Sequence, residues 1–446
     1  MKDRKNNTFV VFPSQIISNI SLSKISKDFR TSARSQTVFY VCAAITGMIW
    51  EMPAVISIAT ALLVLTALFE VRANFRLAFR VGLSENLKTR RYWLWISVPF
   101  LLVLFSAPYT SEMSYFLERL RIKLPFLLLP FAFAVLPPLR KKDLYLIGVF
   151  LTGTLVLAAI WVLQNYYFNY EAINEAINRG KAMPTPSSHI RYSLATAGGI
   201  FCTFFLAIQD KILGIKGEKI ILGTSAVFLF CFMHILSVRS GLLAFYAAAG
   251  VLVLLYIYRS RRWKNGIIAI SVLLLFPVLA INFIPSLSNK FNYARYDFQQ
   301  SLAGKEHNLS DGERWISLRA ALEIFAENPV FGVGAGDLKE EMKKIYDRQD
   351  YTRNVEKMPH SQLVSIAAGT GAVGLMIYLA AFFIPLFKRK NYRSYPLTAW
   401  HVIIFSSFLS ENTFETNYGV SLWLFGLLVG LSFLENQSVT IKVRST

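Results

Sequence analysis

Residues 266–284 read GIIAISVLLLFPVLAINFI, nineteen positions without one charged side chain. A helix needs about 20 predominantly apolar residues to cross ~30 Å of hydrocarbon, where no water satisfies backbone N–H and C=O groups. Runs of the same kind fall near 37–50, 53–70, 92–108, 124–138, 144–163, 192–209, 220–236, 241–258, 361–386, 396–410 and 419–434. The chain therefore reads as an all-α polytopic membrane protein with about 12 transmembrane helices. Composition agrees. Hydrophobic residues make up 54% of the 446 positions and charged ones 17%, with mean hydropathy +0.43, whereas soluble domains are about a quarter charged. A secreted disulfide scaffold, a disordered tail protein and a soluble nucleotide-binding enzyme are excluded. Cys42, Cys202 and Cys231 all sit within apolar runs, form no CxxC pair, and read as small packing residues. Residues 9–20 are interrupted by Pro13 and followed by Lys24 and Lys27, which predicts a surface-lying helix and no cleavable signal.

The net charge of +20, from 47 Lys and Arg against 27 Asp and Glu, would suit nucleic acid only if it gathered on a soluble face. It lies instead in short loops between spans, and no nucleic-acid partner is expected. With both termini cytoplasmic, the cytoplasmic segments hold 29 Lys and Arg and the other side 18, of which 11 belong to one 76-residue loop too long to direct topology. Setting that loop aside leaves 29 against 7, as the positive-inside rule requires. The organisation that follows is a cytoplasmic N-terminal segment 1–36, a bundle of about nine spans over 37–284, an extracytoplasmic helical catalytic loop 285–360, about three spans over 361–434, and a cytoplasmic tail 435–446.

The long loop has structure of its own. Ser310-Asp311-Gly312-Glu313 reads as a capping box opening a helix. Trp315, Leu318, Leu322 and Phe325 recur at helical spacing, and Asn328-Pro329 stops it. Residues 331–336 carry Gly332, Gly334 and Gly336 at alternate positions and predict a tight, exposed turn before a strongly charged helix over 337–347.

Common catalytic motifs are missing. The sequence has no HExxH, no GxxxxGK[ST], no Cys/His set with zinc spacing and no DxD-type pair on the outer side. The first outer loop is just Glu51-Met52-Pro53, so a metal mechanism is disfavoured and neither metal nor cofactor is expected. What remains is basic. Arg191 in SHIRYS, Arg239 in SVRSG and His360 in MPHSQ each fall where an out-to-in helix begins. Helix starts carry unpaired N–H groups and the positive end of the dipole, a ready anion site. Arg314, near the start of the loop helix, can fold back over the same place. A single Arg at a span end is usually a snorkelling anchor, and a lone His near a helix start is usually a surface or capping residue. Their coincidence on one face raises the functional reading.

These residues resemble the O-antigen ligase family, multi-spanning enzymes that move glycans from a lipid diphosphate carrier. The resemblance is strongest over 311–374. Arg314 and Trp315 open a helix ending in NPVFGVGAGDL, similar to the family's Pro, bulky apolar, Gly-x-Gly pattern. His360-Ser361 is followed by Gly371 and Gly374, eleven and fourteen positions after the His, and SVRSG resembles the family's Ser-Arg segment before a central span. The long outer loop between the ninth and tenth of twelve spans also matches. One departure is Gly369, where the family often carries an acidic residue shortly before the first glycine. The resemblance implies a GT-C-like fold and a metal-independent, inverting transfer. It also implies an undecaprenyl-diphosphate-linked glycan donor, a lipid A–core or other outer-side glycan acceptor, and a bacterial inner-membrane location with the site on the periplasmic side. On that basis the catalytic residues are His360, as general base, with Arg239 and Arg314. Arg191, Arg239 and Arg314 would contact the diphosphate, where a guanidinium grips phosphate oxygens without being deprotonated. A helix start and nearby arginines are expected to keep His360 neutral. His189, Arg121 and Lys123 are additional candidates.

An O-antigen polymerase or a protein O-oligosaccharyltransferase would use the same donor. The polymerase usually shows two long outer loops, whereas the next longest here, 164–191, has 28 residues, and the protein-glycosylating enzymes tend to carry a large extra outer domain. A transporter of an anionic lipid-linked substrate predicts charged residues at mid-span, where these spans are nearly free of charge. The orientation is testable. Lys305→Cys and Arg348→Cys should react with an impermeant thiol reagent in spheroplasts while Arg261→Cys stays protected; the reverse pattern would invert the topology.

Overall fold

The computed structural model describes residues 32–71, 77–209, 212, 214–302, 310–348 and 358–445; residues 9–20 lie outside them. All twelve apolar runs are helical. The first two form a hairpin, α1 (Ala33–Ile49) and α2 (Pro53–Leu68), that turns through Glu51 in a left-handed conformation (φ 52°) with Pro53 opening α2. A short antiparallel pair, β1 (Phe69–Val71) with β2 (Leu77–Phe79), leads to α3 (Leu83–Thr89). The run 92–108 splits into α4 (Tyr92–Ile96) and α5 (Val98–Phe105), because Pro99 has no N–H with which to continue the ladder. Next come α6 (Met113–Lys123), α7 (Pro125–Val135), α8 (Lys141–Phe168) and α9 (Tyr170–Asn178). The central helices are α10 (His189–Ala207), α11 (Glu218–Leu236), α12 (Arg239–Ser260) and α13 (Trp263–Phe283). The long loop contributes α14 (Pro285–Leu302), α15 (Ser310–Glu327) and α16 (Leu338–Arg348), and the chain ends with α17 (Gln362–Phe387), α18 (Tyr395–Phe408) and α19 (Asn417–Ser445). Among the described residues seven helices are long and apolar enough to cross a membrane: α8, α10, α11, α12, α13, α17 and α19. The other apolar helices are shorter, such as α7 at 11 residues or about 17 Å.

Loop cations also close helices. Arg80 donates to the Thr66, Ala67 and Phe69 carbonyls at the end of α2, and Arg90 to those of Phe133, Ala134 and Leu136 at the end of α7. Both meet the carbonyl-rich negative end of a helix, where a cation is favoured. Deeper in the bundle an aromatic cluster packs α7, α17, α18 and α19 around Phe414, whose ring centre lies 5.1 Å from Phe126, 4.8 Å from Phe408 and 5.1 Å from Trp423. Phe414 belongs to the loop between α18 and α19, so this core pins that loop in place.

The long loop docks on α17. Ala320, Ala321 and Ile324 of α15, with Leu338, Met342, Ile345 and Tyr346, form a small second core that reaches Ala368 of α17. This differs from the expected stripe, for Trp315 and Leu322 are exposed and the alanine face turns inward. Small residues there allow α15 to approach α17 closely. The glycine turn is tight, as expected, but Gly334 and Gly336 are buried, because the turn inserts into α17. In an unbroken helix Ala372 N–H would donate to the Ala368 carbonyl and Val373 N–H to that of Gly369. Here Ala372 N–H goes to Pro329 O (2.8 Å) and Val373 N–H to Val330 O (3.3 Å), while the Ala368 and Gly369 carbonyls accept from Val333 N–H (3.1 Å) and Gly334 N–H (2.9 Å). All four of these groups find a partner, which a lipid setting demands. Gly371 sits at the break with φ 67° and ψ −174°, a region essentially restricted to glycine. A Cβ on Gly371 would collide with the Val330 carbonyl, and one on Gly332 (φ 68°) with the backbone of Gly369 and Thr370. Gly332→Ala should therefore destabilise the protein by ~2 kcal/mol or more, seen as a lowered melting temperature in detergent. An unchanged melt would show that the turn does not need its close approach.

Candidate active site

Three helix starts converge at one end of the bundle. His189 is the first residue of α10 and Arg191 the third; Arg239 is the first of α12, after Ser237 turns the chain with φ 52°. Gly241, two residues into α12, packs on Ser193 of α10, so the α10 and α12 starts lie side by side. Ser361 caps α17, accepting from Val364 N–H at 3.5 Å and donating to the Phe408 carbonyl at 2.9 Å, which sets His360 at the mouth of that helix. The expected placement of these residues at helix starts holds.

Arg314, His360 and Arg191 gather on Glu411, in the loop between α18 and α19. Its Oε1 accepts from Arg314 Nη2 at 2.9 Å, its Oε2 lies 4.0 Å from His360 Nδ1, and Arg191 stands in the same field. Glu51 of the α1–α2 turn and Tyr418 also stand in the field of Arg191. His189 lies in the field of Lys290, Arg314 and Arg191. Burial pushes the Glu411 carboxyl above the ordinary carboxylate range, while the Arg314 and Arg191 guanidiniums pull it the other way. The His360 backbone N–H faces Ser317 Oγ of α15 at 3.4 Å, so the loop helix that brings Arg314 also braces the histidine. A carboxylate beside His360 favours the imidazolium, opposite in sense to the helix start and the arginines. Glu411 is the residue that sequence reading missed. Gly369 stands near where the resembled family often carries an acidic residue, and a carboxylate reaches His360 instead from a loop 51 positions beyond it.

Lys123 and Arg121 do not join this cluster. Arg121 is exposed on α6. The Lys123 ammonium is buried, donating to the Phe414 carbonyl and to Glu415 Oε1, both at 2.6 Å. Arg119 reaches the other oxygen of Glu415 at 3.4 Å, and Gln362 ties the network to α17 by donating to Glu415 Oε1 (2.9 Å) and accepting from Phe414 N–H (2.7 Å). This lock holds the loop that carries Glu411, a positioning task and not a phosphate contact. Among the described residues no three His, Cys, Asp or Glu side chains are grouped to hold a metal.

Over residues 224–379 the chain matches the family model described as O-antigen ligase. That stretch contains Arg239, Arg314, His360, the docked turn and Gly371, and the resemblance read at 311–374 falls inside it. Arg191 and Glu411 lie outside it. No curated protein matches the chain.

The lock makes a stability prediction. Burial of Glu415 works against its charge, but Lys123 and Arg119 more than offset it and hold the carboxyl at about 2. A depressed carboxyl contributes stability that is full above its ordinary value of 4.5 and is lost as pH falls toward 2. Glu415→Gln should cost on the order of 3 kcal/mol at pH 7, since it strands a buried ammonium. Thermal melts at neutral pH and at successive steps below pH 4.5 should show the gap from the unmodified protein narrowing. A constant gap would mean that the carboxyl is not depressed.

Proposed function

We propose, for an O-antigen ligase family protein matched to its family over residues 224–379, that this chain transfers a glycan from an undecaprenyl-diphosphate carrier to lipid A–core or another outer-side glycan. The reaction takes place on the periplasmic side of a bacterial inner membrane, with the 285–360 loop as the catalytic element and no metal. The observation that carries this reading is the convergence of Arg191, Arg314 and His360 on Glu411 at the helix starts. The acceptor hydroxyl attacks the anomeric carbon and its proton passes to His360 Nε2, the nitrogen turned away from Glu411. The bond from the anomeric carbon to the diphosphate oxygen breaks, and the electron pair leaves with the carrier diphosphate. Arg191, Arg239 and Arg314 stabilise the charge that grows there, with bidentate contacts that an ammonium cannot reproduce. Diphosphate is a good enough leaving group to need no strong acid. Glu411 orients the imidazole and balances the guanidiniums until the diphosphate takes its place as their counterion.

These roles separate in kinetics. His360→Ala should lower turnover by ~10²–10⁴-fold with donor binding nearly intact, whereas Arg239→Lys should impair both. Glu411→Gln removes the charge that favours the imidazolium, so the acid limb of the pH–rate profile should move to lower pH. Donor binding lost in His360→Ala and untouched in Arg239→Lys would reverse the assignment. Activity of the purified enzyme should survive exhaustive chelation; loss restored by Mg²⁺ or Mn²⁺ would place a metal in the mechanism. Deleting the gene and resolving surface glycans on a gel tests the acceptor. Full-length carrier-linked polymer with bare acceptor is the result expected, and a single repeat on acceptor would make the enzyme a polymerase.

A further inference from the structure

At the end of the bundle opposite the helix starts lies a cavity of about 760 Å³, enclosed by α1, α8, α10, α18 and α19. That is within the ~300–1,000 Å³ of ligand pockets. Its interior is apolar, with walls that include Ile45, Leu151, Phe201, Leu422, Phe425 and Val429. Its mouth is basic. Arg91, Lys388, Arg389, Lys390 and Arg393 border it, all exposed. Arg90 borders it too, but is paired with Glu435 at 3.2 Å and capped onto α7, and Glu435 is the one carboxylate on the rim. The basic turn that follows α17 is firmly held: Arg259 donates to the Arg393 carbonyl at 2.8 Å and to that of Tyr392 at 3.1 Å, and Asn391 to that of Pro385 at 2.8 Å.

A ring of cations alone is what any cytoplasmic membrane edge carries. What separates this place from an ordinary edge is the apolar space beneath the ring. The ligand that fits has apolar chains for the interior and an anionic, oxygen-rich head for the mouth. A nucleotide would set its polar base and ribose against bare hydrocarbon side chains. We propose that this cavity holds an anionic phospholipid of the surrounding leaflet, with its chains among α1, α10 and α19 and its phosphate against Lys388 and Arg393. The mouth lies at the far end of α17 from the helix-start cluster, beyond 26 residues from Gln362 to the basic turn, while the inner wall reaches Ala195, one turn after Arg191.

The full-length protein in nanodiscs tests this with phosphatidylglycerol bearing a diazirine in one acyl chain, against phosphatidylcholine with the same chain. After irradiation the phosphatidylglycerol probe should label peptides spanning Ala195 to Cys202 and Leu422 to Gly430, and excess unlabelled phosphatidylglycerol should compete. Lys388→Gln combined with Arg393→Gln should lower that labelling about tenfold. Phosphatidylcholine labelling these peptides equally, or the double variant labelling like the unmodified protein, would overturn the proposal. So would displacement of the probe by a polyprenyl phosphate but not by excess phosphatidylglycerol.

Discussion

The placing of His360 and Arg314 at the helix-start end depends on the exchange of backbone hydrogen bonds between α17 and the turn before α16. Breaking a membrane helix is costly because the released N–H and C=O groups have no water to turn to. The turn supplies two acceptors, at Pro329 and Val330, and two donors, at Val333 and Gly334, in the positions that the break requires. Because these are main-chain groups, the docking tolerates many side chains but depends on glycine at Gly332 and Gly371. The glycine spacing after His360 thereby acquires a physical reason. Gly371 permits the break, and Gly374 keeps the next turn clear of the Thr370 side chain.

The site built on this platform is a cluster of cations around one carboxylate. Bringing Arg191, Arg314 and His360 together without Glu411 would be electrostatically unfavourable, and burying Glu411 without them would favour its neutral form. Each part makes the others tenable. Such a cluster is suited to an anionic ligand because the cations are already gathered and only their counterion has to change.

The helices were legible in the sequence because an uncharged run of twenty residues has few alternatives in lipid. The His and Arg residues were legible because each marks a helix start and because the motifs around them resemble a family. Glu411 was not. It sits in a short loop with no motif, and its importance comes from Phe414 and Glu415 being anchored to α7 and α6, contacts between segments almost 300 positions apart. The inward face of α15 was misread for a related reason. Large apolar residues mark a buried face when the partner is distant, but against a backbone that approaches closely the alanines are inside. Periodicity also gave no warning that 92–108 would be two helices.

The interrupted α17 also separates two mechanical tasks. The half before Gly371 is stitched to α15 and the glycine turn on one flank, and on the other to the α18–α19 loop, where Gln362 N–H donates to the Glu411 carbonyl at 3.1 Å, Ser365 to Asn412 and the Gln362 side chain to Glu415. His360, Arg314 and Glu411 therefore ride on one unit, whose spacing is set by that hydrogen-bond network. The half after Gly371 is left to pack against the bundle without dictating that spacing.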